Sequence, residues 1–105
     1  MDKPQPFALA DSAVAQNYRL LVNDEAGSTN DEAMSLAREG APDRMWIIAR
    51  AQSSGRGRHG RQWISPPGNL YASLLLIDEV PMRHAPQLGF VAGVALANAL
   101  RKCAA

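Results

Sequence analysis

The spacing of apolar residues along the chain changes period several times, and each change marks an element. Tyr18, Leu20, Leu21 and Val22 form a short run that predicts a strand over residues 18–22, with a turn over 23–27. Thr29-Asn30-Asp31-Glu32 then matches a capping box, with Thr29 as the N-cap and Glu32 three residues into the helix. A helix over residues 30–39 follows, carrying Ala33, Met34, Leu36 and Ala37. Gly40 is placed to take the left-handed position that ends it, and Pro42 blocks continuation. Residues 45–51 are apolar with β-formers and predict a second strand. Residues 53–62 hold three glycines, three arginines and two serines and read as a loop. After a turn at Pro66, Pro67 and Gly68, residues 70–77 are almost continuously apolar. That pattern predicts a strand buried on both faces, ended by residues 78–81.

The last segment, residues 84–102, returns to helical spacing. Leu88, Val91, Ala92, Ala95, Leu96 and Ala99 recur every three or four residues, while Phe90 and Val94 lie off that stripe. A helix apolar around most of its circumference is expected in a core, and Arg101 and Lys102 suit its C-terminal end. Residues 1–17, with Pro4 and Pro6, read as a loose leader with one short helix within 7–15. The order strand, helix, strand, strand, helix predicts a layered α/β or α+β arrangement. The pattern does not choose between parallel and antiparallel pairing.

Composition narrows the classes. The chain has 105 residues, 47% hydrophobic and 20% charged, which suits one small globular domain rather than a disordered chain. Its one cysteine, Cys103, excludes an intrachain disulfide and a cysteine metal cluster, and a reducing cytoplasm is the expected setting. Cys103 has no general base beside it in sequence and is expected to be inert. No secretory signal is expected from an N-terminus of this composition. The longest uncharged stretch, residues 85–100, contains Pro86, Gln87, Asn98 and two glycines, so no membrane span is expected.

The net charge of +1 conceals segregation. Residues 1–43 hold three basic and eight acidic residues, whereas residues 44–77 hold five arginines and no acid. The middle third is therefore a candidate surface for an anionic partner, or else a solvated basic loop. Within it, Gly55-Arg56-Gly57-Arg58-His59-Gly60-Arg61 lies between two expected strands. Its glycines can take positive φ and let backbone N–H groups approach a ligand. Its arginines add fork-shaped donors that match phosphate or carboxylate oxygens. Neither a P-loop nor the dinucleotide fingerprint is present. With so much glycine and no evident internal compensation, the loop is expected to be mobile until ligand orders it.

Three segments together carry a resemblance. Residues 52–63, Gln-Ser-Ser-Gly-Arg-Gly-Arg-His-Gly-Arg-Gln-Trp, resemble the glycine–arginine signature of the biotin protein ligases. Gly27-Ser28-Thr29-Asn30 resembles that family's first biotin-binding segment, and Asn69-Leu70-Tyr71-Ala72-Ser73 resembles its next strand. The similarity runs from about Tyr18 to Lys102. It implies an α+β fold, a mixed sheet with flanking helices like the core shared by biotin and lipoate ligases and class II aminoacyl-tRNA synthetases.

By the same resemblance, Ser28, Thr29, Asn30 and Gln52 would hold biotin, together with Gly55, Arg56 and Gly57. Arg58, Arg61 and Trp63 would face ATP or the adenylate, and Arg56 and Arg58 would serve catalysis. The implied reaction joins biotin to ATP, with Mg²⁺ accompanying the nucleotide, and passes biotin to a lysine of a biotin carboxyl carrier protein. The physics of such a reaction asks for these groups. A carboxylate attacking a polyphosphate needs its charge offset, the mixed anhydride needs protection from water, and a buried ureido ring needs matching polar partners.

Plainer readings stand beside these. Ser28 and Thr29 can cap a helix, and Trp63 can be core. His59 is given no catalytic role, and His84 is expected at the surface where the last helix begins. The family continues with a Lys-Trp-Pro-Asn-Asp segment and glycine-rich strands that this chain does not contain. The expectation is therefore a leader over 1–17 and a partial catalytic domain over 18–105, inactive alone, with no DNA-binding domain. The alternative is a nucleic-acid-binding module built on the basic middle third, which the chain's six aromatic residues support poorly.

Overall fold

The computed structural model describes residues 7–77, Arg83 and residues 87–104. Its elements are helix α1 (Asp11–Ala15), strand β1 (Arg19–Asn23), helix α2 (Thr29–Arg38), strand β2 (Met45–Ala49), strand β3 (Tyr71–Leu75) and helix α3 (Gln87–Ala104). The strands form one mixed sheet in the order β1-β2-β3. β1 pairs with β2 in parallel, Arg19 opposite Met45 and Asn23 opposite Ala49. β3 pairs with the other edge of β2 antiparallel, Met45 opposite Leu75 and Ala49 opposite Tyr71. A parallel pair needs a crossover, and α2 supplies it. β2 is thus covered on both edges, and Ile47 and Ala49 are fully buried there. Ala33 of α2 is buried as well, and α2 packs against β2 and β3.

The ends of α2 follow from its sequence, with one shift. The N-cap is Ser28, not Thr29: Ser28 is extended, and its Oγ accepts from the Asp31 N–H at 3.3 Å. Thr29 is the first helical residue, so the capping pattern begins one residue earlier than the box suggested. Glu32 is thereby released from a capping role and accepts instead from Asn23 Nδ2 at 2.9 Å. At the other end Gly40 has φ +83°, the Gly40 N–H donates to Ala37 O, and the Ala41 N–H donates to Leu36 O. These two bonds make a Schellman motif, as the glycine implied.

Two expectations about burial fail. β3 is not buried on both faces. It is one of the sheet's two edge strands, Ala72 is exposed, and the other four residues are only half-buried. Its continuous apolar run therefore marks incomplete cover, not an interior position. α3 is not in the core either: Val91, Val94, Leu96 and Leu100 are each exposed, between 58% and 63%. Helical periodicity gave the element but not its partner, because apolar content alone does not say what a helix packs on. The start of that helix at residues 84–86, with His84, and the strand end at 78–81 lie outside the described residues. Among the described residues, no helix is long and apolar enough to cross a membrane.

Candidate functional site

The site lies where the start of α2, the residues after β2 and the loop before β3 meet. Chain geometry brings them together. The parallel β1–β2 pairing continues past the strands as a bridge from Ala26 to Gln52, and an antiparallel bridge joins Gln52 to Ser65 on its other side. Backbone bonds pin this layer: the Ser54 N–H donates to Gly27 O at 2.7 Å, and the Gln52 N–H to Ser65 O at 3.0 Å. The first turn of α2 and the glycine–arginine loop are therefore held side by side, although they are far apart in sequence.

A chain of polar contacts runs through that junction. Gln52 Oε1 accepts from the Thr29 N–H at 2.8 Å, and Gln52 Nε2 donates to Ser65 Oγ at 3.1 Å. Ser65 Oγ in turn donates to Trp63 O at 3.1 Å. On the other side, Thr29 Oγ1 and Ser73 Oγ of β3 share a hydrogen bond of 2.9 Å. Ser28, Thr29 and Ser65 are almost completely buried. Buried hydroxyls and amides of this kind are tolerated because each has a partner.

The loop is better supported than its sequence implied. The Gly57 N–H donates to Arg61 O at 2.6 Å and the Trp63 N–H to Gly55 O at 2.8 Å, so the segment folds back as a narrow hairpin. Its tip is a short 3-10 turn over Arg58–Gly60, with His59 and Gly60 both left-handed, at φ 60° and 72°. Gly55 is needed for another reason than positive φ. A Cβ there would lie 2.5 Å from Ser65 Oγ and 2.7 Å from Trp63 O, closer than atoms can approach. Arg56 leaves this hairpin to pair with Asp31 in the first turn of α2.

These elements enclose an open cavity of about 470 Å³. Of the residues singled out from sequence, Ser28, Thr29 and Asn30 line one wall, and Gln52, Arg56 and Gly57 another. Trp63, 61% exposed and so not core, closes one side, and Leu70, Tyr71 and Ala72 of β3 and its approach form the floor. Gly55 lies buried behind the wall. Arg61 does not line this cavity; with Gly57, His59, Gln62 and Trp63 it borders another hollow of about 570 Å³. Arg58 lies in the 3-10 turn at the tip of the hairpin. Tyr71 is set by its hydroxyl, which donates to Pro66 O at 2.7 Å.

Outside the loop, the arginines of the middle third are committed elsewhere. Arg44 donates to Gln16 O and lies over the Tyr18 ring, and Arg50 faces Asp24 and the Phe7 ring. The basic third is therefore not one continuous anion-binding face. Among the described residues, no group of three or more histidine, cysteine or acidic side chains converges. Sequence reasoning missed Ser65, Ser73 and Asp31. Ser73 offered a signal as a polar residue in an apolar run; Ser65 had none, since its neighbours Pro66 and Pro67 read only as a turn.

The chain is similar to proteins named as ligases. A biotin–[acetyl-CoA-carboxylase] ligase of Paracoccus denitrificans is 47% identical over 73 residues, 70% of this chain and 30% of the relative. The bifunctional ligase/repressor BirA of Bacillus subtilis is 34% identical over 99 residues, 93% of this chain and again 30% of the relative. The chain thus spans about a third of the length of these relatives. The crystal structure of biotin protein ligase from Leishmania major in complex with biotinyl-5-AMP superposes with a TM-score of 0.70 at 28% identity, covering 81% of this chain and 35% of that one. The family model of the biotin/lipoate A/B protein ligases matches residues 25–104, and the chain belongs to that family.

Proposed function

We propose that residues 18–105 form part of the catalytic domain of a biotin protein ligase and contribute its biotin and adenylate site. The observation that carries this reading is the convergence of Ser28, Thr29, Gln52, Arg56 and Trp63 on one cavity. The relatives named biotin ligases and the ligase structure holding biotinyl-5-AMP point the same way. In this reading biotin's ureido ring meets the polar wall of Ser28, Thr29, Asn30 and Gln52, and Trp63 with Leu70 covers its apolar part. Gly55 and Gly57 allow the loop backbone to come close.

The biotin carboxylate attacks the α-phosphorus of ATP, which arrives with Mg²⁺, and pyrophosphate leaves. Arg56 and Arg58 offset the charge gathered there, and Arg61 faces the phosphates. Fixed guanidinium charge does this without any proton transfer. A lysine amine of a biotin carboxyl carrier protein then attacks the mixed anhydride and AMP leaves. The setting is cytoplasmic.

The test is equilibrium titration of the chain with biotin and with biotinyl-5-AMP. The reading expects saturable binding of both, tighter for the adenylate because it fills the biotin wall and meets the arginines together. Binding of nucleic acid in preference to either ligand would replace it.

A further inference from the structure

We infer that Ser65, which does not line the cavity, is a positioning residue that fixes which edge of the Gln52 amide donates and which accepts. This rests on the proposed biotin site and adds a specificity determinant to it. The Ser65 hydroxyl has a single proton, and it is given to Trp63 O at 3.1 Å. Towards Gln52, Ser65 Oγ can therefore only accept. The Gln52 group that faces it must be the amide nitrogen, 3.1 Å away. At the other end the Thr29 N–H can only donate, so the Gln52 group that faces it must be the amide oxygen, 2.8 Å away.

Both ends give the same orientation, and the antiparallel bridge between Gln52 and Ser65 holds the two residues opposite each other. Ser65 is only 4% exposed, so water does not compete for its Oγ. Gly55 leaves the space: a side chain there would strike Ser65 Oγ and crowd Gln52 Nε2. What remains of Gln52 for a ligand is one N–H at a fixed place beside one oxygen lone pair. A urea-type ring, with a carbonyl between two N–H groups, has the complementary order of acceptor and donor. Without Ser65, only the Thr29 bond restrains the amide.

The experiment compares three ligands on the wild-type chain and on Ser65→Ala by calorimetric titration. They are biotin, desthiobiotin, which keeps the cyclic urea, and 2-iminobiotin, whose guanidinium replaces the acceptor with donors. Ser65→Ala is expected to weaken biotin about tenfold, the size of one net hydrogen bond. It is expected to narrow the preference for biotin over 2-iminobiotin and to leave the ratio of biotin to desthiobiotin unchanged. Ratios of affinities do not depend on the folded fraction of the sample, so loss of stability alone does not move them. In a Gln52→Ala background, Ser65→Ala is expected to have no further effect on biotin.

A second measurement needs no ligand. In the free chain, Ser65→Ala is expected to speed proton exchange at the Gln52 side-chain amide and the Thr29 N–H, with little change at Ile47. Unchanged exchange there, an unchanged preference between biotin and 2-iminobiotin, or additive losses in the double variant would overturn the inference. Failure of the wild-type chain to bind biotin would overturn the site reading itself, and the inference with it.

Discussion

Arg56 of the glycine–arginine hairpin, which lines the cavity, is ion-paired with Asp31 in the first turn of α2. Both side chains are about half exposed, so the pair is worth no more than about 1 kcal/mol to folding. Its effect on an anionic ligand is of the opposite sign, because Asp31 competes for the guanidinium and repels phosphate. Asp31→Asn is expected to tighten biotinyl-5-AMP roughly two- to fivefold at low salt, fading at high salt. Titrations at two ionic strengths check this; weaker adenylate binding in the variant would show that Asp31 holds Arg56 in place for the ligand instead.

Arg56 and Arg44 separate the site from the rest of the basic third. Arg44 is tied to Gln16 O and Tyr18, away from the cavity that Arg56 lines. Arg56→Ala is expected to cost about 1.5–3 kcal/mol of adenylate binding, the value of a hydrogen bond to a charged group. Arg44→Ala is expected to leave that affinity unchanged. Equal affinities for the two variants in calorimetry would remove Arg56 from the site.

Gly55 and Gly27 make a matched pair for stability. An added Cβ at Gly55 meets Ser65 Oγ and Trp63 O, whereas nothing lies within 4 Å of one at Gly27. Gly55→Ala is expected to destabilise the chain by about 1–3 kcal/mol, the usual cost of overpacking. Gly27→Ala is expected to be close to neutral. Urea unfolding of both variants is the check, and equal midpoints would contradict the tight approach at Gly55.

The hairpin should still respond to ligand. Its tip holds two successive left-handed residues, His59 and Gly60, and Arg61 is exposed. His59 and Gly60 are exposed as well, so the tip is expected to open locally at low cost. Biotin with MgATP is expected to slow tryptic cleavage at Arg56, Arg58 and Arg61 without slowing cleavage at Arg19. Equal cleavage with and without ligands would argue against a ligand-contacting loop.

Much of this was legible in the sequence, for local reasons. Gly40 and Pro42 mark the end of α2 because a Schellman turn needs a left-handed residue there. Three glycines and three arginines between β-forming runs mark the loop. The N-cap was misplaced by one residue because Ser28 and Thr29 are adjacent and equally able to cap; the extended backbone at Ser28 decides between them. The exposure of α3 and the edge position of β3 were not legible, since periodicity reports a face and not what covers it. Ser65 was invisible because its role depends on lying opposite Gln52, 13 residues away along the chain.

Amide shifts of the ¹⁵N-labelled chain during biotin titration report whether biotin occupies the cavity between α2 and the hairpin. Saturable shifts are expected at Thr29, Gln52, Arg56 and Gly57, all with one dissociation constant, while Val94 and Leu96 of α3 stay unmoved. Shifts confined to α3, or none at saturating biotin, would place biotin outside this cavity.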